Sequence, residues 1–502
     1  MKQFDIIIIG SGIGGLVCAA VLGREGYSVC VLEKNKQLGG SLQTYVRDRM
    51  IFDSGVHYIG GLGPGQNLYQ IFKWLGLMDR LKLEKMDEDG FDRIITDQND
   101  QEFPLAQGYE NFISKLLVHF PEEEKAIRHY CDKMKQVCSQ FPMYNLRNGD
   151  PDEKASALEL SAKSFIESLT GNKKLQAILS GNNFLYAGKG SQTPFYMHAL
   201  ILNSYIESSW KCVDGGSQIT KILAQQIRSS GGTILNHWKV QEIAVADGKV
   251  THVLSDRGAS ISGRHIISNI HPAKTFELTG TPLIRKVYRK RIGSLENTVS
   301  CFSLNIVLKK DSFPYWKYNY YFHKEGHIWS LADYNEDNWP LGYALFLSAA
   351  KDQGAFASTM SILTYMRFEE VQSWENSFNT AADQKERGEQ YRAFKIRKAE
   401  KLLDLVEKKI PGLRSCIQSY YTATPLSFRD YLGTSDGSLY GIAKDYKDPV
   451  KTIVPMRTKL PNLYLTGQNL NLHGILGASI SALITCSAFM DMDSLTEKIR
   501  NA

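Results

Sequence analysis

The chain has 502 residues, of which 43% are hydrophobic and 22% charged, and its 59 basic and 53 acidic side chains leave a formal net charge of +6. That length allows two or three domains with large cores, and the composition is ordinary for a globular enzyme. So small an excess of charge gives no case for nucleic-acid binding, although it would tolerate an anionic membrane surface.

The most informative stretch comes first: Phe4-Asp5-Ile6-Ile7-Ile8-Ile9-Gly10-Ser11-Gly12-Ile13-Gly14-Gly15. It reads as a buried parallel strand turning into a helix over spaced glycines. Gly10 would make the tight turn, Gly12 would let the backbone approach a pyrophosphate, and Gly15 would let the helix pack closely on the strand. Phosphates would then meet free N–H groups at the positive end of the helix. A second strand, Ser28-Val29-Cys30-Val31-Leu32, ends in Glu33, 23 residues after Gly10. A carboxylate there can accept hydrogen bonds from both hydroxyls of an adenosine ribose and would repel a 2′-phosphate. A glycine-rich turn in another sheet protein would explain the glycines, but not the acid in register.

Gly39-Gly40 opens a loop, and Phe52-Asp53-Ser54-Gly55-Val56-His57-Tyr58 follows. Apolar spacing at Leu68, Ile71, Phe72 and Leu75 predicts a helix, and a different region begins near residue 80. Residues 109–205 read as largely helical, broken at Pro121, Pro142 and Pro151. Nucleotide-domain character returns with Gly215-Gly216, an amphipathic helix over 217–228, a Gly231-Gly232 turn, a strand at Val240-Gln241-Glu242-Ile243, and Ile266-Ile267-Ser268-Asn269. The densest basic run, Arg285-Lys286-Val287-Tyr288-Arg289-Lys290-Arg291, reads as a solvated helix face or as a lipid-facing patch.

From about residue 296 to 350 the pattern turns to β. Trp316, Tyr318, Tyr320 and Phe322 alternate along one face of a candidate strand, as core or as the lining for a flat or polyunsaturated ligand. A helix follows whose expected buried face is Ile396, Ala399, Leu403, Val406 and Ile410, stopped by Pro411-Gly412. Pro461-Asn462-Leu463-Tyr464-Leu465-Thr466-Gly467 is a strand running into a glycine, and Gly474-Ile475-Leu476-Gly477 leads into a small-residue helix over 478–489. The reading is one discontinuous cofactor domain (1–80, 206–275 and 455–502) and one discontinuous substrate domain (81–205 and 276–454).

The eight cysteines include no C-x-x-C pair, and Cys18 and Cys30 fall within the first helix and second strand. A reducing, cytoplasmic setting is expected. The chain starts directly with its first strand, so no leader peptide is expected, and no run approaches about 18 consecutive apolar residues, so neither is a membrane span. No metal site is expected: His323 and His327 bracket Glu325-Gly326 without a third ligand.

These motifs together resemble the FAD-dependent phytoene desaturase, carotenoid isomerase and retinol saturase group of the amine-oxidase-like flavoproteins, over nearly the whole chain. The resemblance rests on Gly10 to Gly15 with Glu33, Gly39-Gly40, the 52–58 loop, Phe120-Pro121-Glu122-Glu123-Glu124, His198-Ala199 and Gly215-Gly216-Ser217. It continues through Thr424-Pro425-Leu426-Ser427-Phe428-Arg429-Asp430-Tyr431, Gly433 to Gly441, and Tyr464 to Gly474. The 53–58 loop and the C-terminal block look closest to retinol saturases. Ser204 and Val213 depart from the histidine and proline usual in that group.

The resemblance implies an α/β fold: a Rossmann-type, amine-oxidase-like FAD-binding domain with a discontinuous α+β substrate domain. It implies FAD as cofactor, met by Gly10, Ser11, Gly12, Ile13, Gly14 and Gly15, by Glu33 and Lys34 toward the adenosine, and by backbone at Val240 on the adenine side. Gly39, Gly40 and Ser41 would border the pyrophosphate and ribityl region. Gly467, Gln468, Gly474, Ile475 and Leu476, with His57 and Tyr58, would lie along the flavin. A helix starting near Gly477 would aim N–H groups at the ring. The implied chemistry is addition or removal of hydrogen across a C–C bond of an apolar isoprenoid, a carotenoid or retinoid. His57, His473, Tyr431 and Tyr440 are the candidate proton donors. The external electron partner is open between nicotinamide, quinone and oxygen. A polyene of ~20 carbons entering water would forfeit roughly 16 kcal/mol of burial at ~0.8 per methylene. Peripheral contact with a bilayer is therefore expected, through the helical region or the 285–291 run. The rivals are redox-neutral cis–trans isomerisation, amine oxidation, and a non-enzymatic prenyl-lipid binding protein.

Overall fold

Four consecutive isoleucines, Ile6 to Ile9, can be buried together only in a strand covered on both faces. In the computed structural model, which describes residues 3–98, 100–349, 354–381 and 384–502, Ile6 and Ile8 enter one hydrophobic core while Ile7 and Ile9 enter a second on the other side of the sheet. The strand β1 (Gln3–Ile9) passes through the helix α1 (Ile13–Arg24) to a parallel neighbour, β2 (Val29–Leu32).

The remaining strands of this sheet come from far along the chain. Thr233–Leu235 pairs parallel with β2, and β3 (Ser260–Ser268) pairs parallel with β1. The antiparallel strands Lys249–Ser255 and Val240–Ala246 extend the sheet beyond β3, and β4 (Leu463–Leu465) pairs parallel with it. Across this sheet α1 packs against both α2 (Ser217–Ser229) and α3 (Gly474–Cys486).

A second seven-stranded sheet runs in the order Ile417–Ala423, Ser300–Leu308, Thr359–Met366, Gly342–Leu347, Asn319–His323, Asp92–Thr96, Phe103–Leu105. It is antiparallel except where Asn319–His323 meets Asp92–Thr96. Helices Tyr109–His119, Glu124–Ser139, Ala162–Leu169, Lys173–Leu179 and Phe195–Glu207 form the helical region beside it. Pro121, Pro142 and Pro151 each open a short 3-10 turn there, as their fixed φ favours.

Two expectations change, and the aromatic stripe takes the packing alternative. Trp316 and Tyr318 precede the strand, stack on each other and cross Tyr320 edge-on, and the Arg93 guanidinium caps Tyr318 at 3.6 Å. The alternate row, Asn319, Tyr321 and His323, is the one that makes the buried polar contacts. In the helix Gly388–Glu407, Ile396 is 48% exposed. Lys398 takes an inward place instead, because Glu336 and Glu370 neutralise its ammonium at 2.8 and 2.5 Å. The last glycine-rich segment is already helical from Gly474, so α3 begins before Ala478 and ends at Cys486.

The helix–strand turn tests the packing directly. A Cβ on Gly15 would collide with the Gly10 carbonyl oxygen, whereas one on Gly23 of the same helix meets Ser230 only at 3.4 Å. Gly15→Ala is expected to destabilise the protein by about 1–3 kcal/mol through overpacking. Gly23→Ala should be neutral or stabilising by up to ~1 kcal/mol, since it removes only backbone freedom. Urea unfolding of the two variants checks the contrast.

Candidate cofactor and substrate site

At the carboxyl end of β1 the chain turns at Gly10 with φ +94, a conformation that side chains disfavour. α1 then starts with Gly12 as its N-cap, with no side-chain cap and no acid in the first turn. Its first N–H groups are left to an anion. A second turn faces it: Gly39 and Gly40 have φ of +113 and +57, and a Cβ on Gly40 would sit 3.4 Å from Gly12 Cα. Gly12 and Gly39 form a β-bridge. Ile13 lies partly buried just inside the helix, and Ser41 packs under Gly55.

Glu33, 6% exposed, closes one side of this cradle. Its Oε2 accepts the Ser11 N–H at 3.1 Å and the Ser11 hydroxyl at 2.6 Å, while Oε1 accepts the Asn35 N–H at 2.8 Å. Gly39 N–H donates to the same Ser11 Oγ at 3.1 Å, so cradle, second strand and glycine loop share one hydrogen-bonded chain. Lys34 donates to the Asp430 carbonyl at 2.8 Å, and burial holds its ammonium below the usual lysine range. Val240 opens its strand two residues after Trp238, whose N–H donates to the Glu33 carbonyl at 2.8 Å.

The other end of the site is built by β4 and α3. Gly467, at φ +91, lies so close to the start of α1 that a Cβ on Gly14 would fall 2.9 Å from its Cα. Gln468 follows, partly buried. α3 starts at Gly474 rather than near Gly477, with His473 as N-cap, no side-chain cap and no first-turn acid. A second set of free N–H groups is thus presented, with Ile475 and Leu476 buried beside them. Sequence reasoning missed Asn269 here. A Cβ on Gly12 or Gly14 would approach its amide to 2.8 Å, so this one side chain spans the glycines of the first turn. The only signal for it was its place at the end of the strand 266–269.

Two of the four candidate proton donors come together. The His473 and Tyr440 rings stack with centroids 4.3 Å apart. His473 Nε2 donates to the Leu185 carbonyl at 2.8 Å, and Tyr440 donates to the Phe184 carbonyl at 2.9 Å. Tyr365 donates to Phe184 at 3.3 Å and His323 Nε2 to Gly181 at 2.6 Å, so one turn of the helical region is gripped by four side chains. Burial brings the His473 imidazole down to about 4, which keeps it neutral. Both protons of this pair are therefore committed to backbone carbonyls.

His57 differs. Its ring lies parallel on Phe346 at 4.4 Å, its buried Nε2 has no hydrogen-bond partner among the described residues, and burial, assisted by the Lys211 charge, brings it down to about 3. Tyr431 stands apart from the other three: its hydroxyl accepts the Ala381 N–H at 2.9 Å and its carbonyl accepts from Asn35 at 3.0 Å. That places it beside the Glu33–Asn35 end, because the helix Pro425–Leu432 runs toward Lys34.

Tyr58 leads to a buried polar group that carried no spacing signal. Its hydroxyl donates to Asp92 at 2.8 Å and lies 2.7 Å from that of Tyr321. Asp92, fully buried, also accepts from Asn319 at 2.8 Å and Asn182 at 2.5 Å. Lys211, 1% exposed, donates to the Leu347 carbonyl at 2.8 Å, and burial brings it down to about 8. Beside this region lies a cleft of about 730 Å³, solvent mouth included, walled by Tyr186, Met197, Val299, Trp329 and Tyr365, with His473 and Lys444 also lining it. Burial raises the Asp92 carboxyl from 3.8 to about 7. The folded state then holds this proton more tightly than the unfolded chain, so stability should fall as pH rises from about 4 to about 7, by up to ~1.4 kcal/mol per pH unit. Asp92→Asn should flatten that slope in urea unfolding across the same window.

Comparison with known proteins agrees with this geometry. Residues 8–75 match the NAD(P)-binding Rossmann-like domain. The all-trans-retinol 13,14-reductase of Homo sapiens is 27% identical, aligned over 99% of this chain and 88% of its own. The chloroplastic prolycopene isomerase of Daucus carota is 26% identical over 88% of this chain and 72% of its own. Among solved structures, an oxidoreductase from Methanosarcina mazei superposes with a TM-score of 0.66 at 15% identity, covering 97% of this chain and 100% of that one. Putrescine oxidase bound to putrescine gives 0.63 at 13% identity, covering 97% and 99%. The chain is thus homologous along nearly its full length to all-trans-retinol 13,14-reductases and over most of it to prolycopene isomerases, on an α/β Rossmann-like fold shared with putrescine oxidase and cyclohexylamine oxidase.

Proposed function

We propose that this protein is an FAD-dependent oxidoreductase that adds or removes hydrogen across a C–C or C=C bond of an apolar isoprenoid. The observation that carries this reading is the full-length alignment with all-trans-retinol 13,14-reductases, joined to a glycine cradle that leaves no space for side chains.

The donor set fits FAD. The free N–H groups of α1, with Gly39, Gly40 and Ser41, suit a diphosphate, and Glu33 suits a ribose with free hydroxyls. Lys34 and Val240 would border the adenosine, and Gly467, Gln468, Gly474, Ile475, Leu476, His57 and Tyr58 would border the ring. Bound FAD would supply hydride transfer to or from one carbon of the substrate. The chain's own part is positioning and exclusion of water. The α3 N–H groups favour negative charge next to them by about 0.3–1 kcal/mol when exposed and more when buried. Ile475 and Leu476 keep that face dry. His473 and Tyr440 hold the 181–185 turn over the start of α3, whereas His57, kept neutral by burial, is a candidate whose Nε2 has no carbonyl partner among the described residues. Residues 1–80, 206–275 and 455–502 would form the cofactor domain, and 81–205 with 276–454 the substrate domain. Electrons would enter or leave through an external partner, a nicotinamide, a quinone or oxygen.

Redox-neutral cis–trans isomerisation is the second reading, favoured by the prolycopene isomerases among the relatives. Mass spectrometry of lipid extracts from cells with and without the protein decides between them. A shift of two hydrogens is the expected result. An isoprenoid with changed retention but unchanged mass identifies isomerisation, and no altered isoprenoid refutes both.

The cofactor itself is tested at the acid. Glu33→Gln should lower FAD affinity about tenfold, or about 1.4 kcal/mol, read by flavin fluorescence titration and by the yellow absorbance kept through purification. Unchanged affinity would remove Glu33 from the ribose.

A further inference from the structure

The basic run singled out in the sequence forms the helix Lys286–Gly293, and it does not stand alone. Arg289 turns inward to the Thr281 and Ile284 carbonyls, so the outer face is left to others. Val287 is 81% exposed there, Leu283 49%, and Arg285, Lys286 and Lys290 are exposed around them. A short helix, Pro449–Thr452, carries Val450 at 79% exposure between the exposed Lys447 and Lys451.

Backbone pairing brings these two segments together. Asn297 bridges Ile442 antiparallel, and the Ala443 N–H donates to the Glu296 carbonyl at 2.9 Å. The chain running back from 296 and the chain running on from 443 therefore leave on the same side. Arg291 confirms it by donating to the Lys451 carbonyl at 3.1 Å, and it lies one turn from Val287 on the same helix face. Residues 282–291 and 445–451 hold seven Lys or Arg side chains against two acids, Asp445 and Asp448. Both acids are engaged with backbone N–H groups of their own turns. Nearby Glu296 pairs with Lys189 at 3.2 Å. The same pairing region, Glu296 to Val299 and Ile442 to Lys444, walls the cleft that His473 also lines.

We propose that Leu283, Val287 and Val450, ringed by Arg285, Lys286, Lys290, Lys447 and Lys451, dock the protein on an anionic lipid bilayer with the cleft at the membrane edge. Exposed aliphatic side chains within a field of cations match the acyl boundary and the headgroups of such a surface. The surface stands on these residues, and its use as a route for an apolar isoprenoid into the cleft rests on the function proposed above.

Co-sedimentation of the purified holoprotein with phosphatidylcholine vesicles, with and without phosphatidylserine, tests this. Binding to the anionic vesicles, released by salt, is expected. The paired variants Val287→Asp with Val450→Asp, and Lys286→Glu with Lys290→Glu, should each lower the partition about tenfold. Val118→Asp, at a site 75% exposed in the helical region, should leave it unchanged. Melting temperature and flavin absorbance are recorded for every variant, so that loss of fold is separated from loss of docking. Absent binding by the parent protein, or wild-type binding by both paired variants, overturns the proposal, as does loss of binding in Val118→Asp alone. A protein that docks but carries no flavin refutes the proposed function and spares the surface.

Discussion

The architecture depends on an approach of backbones that only glycine permits. The turn after β1, the glycine loop at 39–40 and the turn after β4 converge at Gly10, Gly12, Gly14, Gly15, Gly40 and Gly467, where an added methyl would touch a neighbouring main chain or the Asn269 amide. Three distant stretches are thereby brought to one point, with two uncapped helix starts nearby. The same absence of side chains that allows the packing exposes the N–H groups that can hold phosphate. Structure and the proposed function ask for one thing here, the absence of side chains.

A second constraint joins the helical region to the sheets. The turn at 181–185 has its carbonyls claimed by His323, Tyr365, Tyr440 and His473, which come from both strand and loop elements of the rest of the molecule. These donors are mostly buried, and burial keeps both histidines neutral, with His323 and His473 each brought down to about 4. Each contact requires a proton on Nε2, which the neutral imidazole carries in that tautomer. The turn is thus held by hydrogen bonds that ordinary changes of pH leave intact.

How much could be read in advance follows from the range of the forces involved. The cradle was legible because glycine spacing and a strand-terminal acid are local demands of the backbone. Secondary structure was legible for the same reason at 68–74, at 217–228 and at the end of β3 over 266–268. The aromatic stripe stayed open between core and lining because period-two patterning names a face without saying what that face meets, and here the stripe stacks on itself and on Arg93. Gly474 to Gly477 read as the lead into a helix starting near Gly477, yet the helix already begins at Gly474, with Gly477 packed closely on Leu472. Asp92, Lys211 and Lys398 were invisible because a lone charge within a strand or helix gives no sign of burial until its distant partners are known. The motif around His473 and Tyr440 marked an important place, but their protons turned out to serve carbonyls.

The parallel sheet also has a schedule. β1 is made before its partner β3, which lies some two hundred and fifty residues further on, and β4 lies some two hundred residues beyond that. Gly467 and the start of α3 follow β4 directly, so a growing chain holds half a cradle until those residues have been added. Such long-range closure is slow and leaves strand edges unpaired meanwhile.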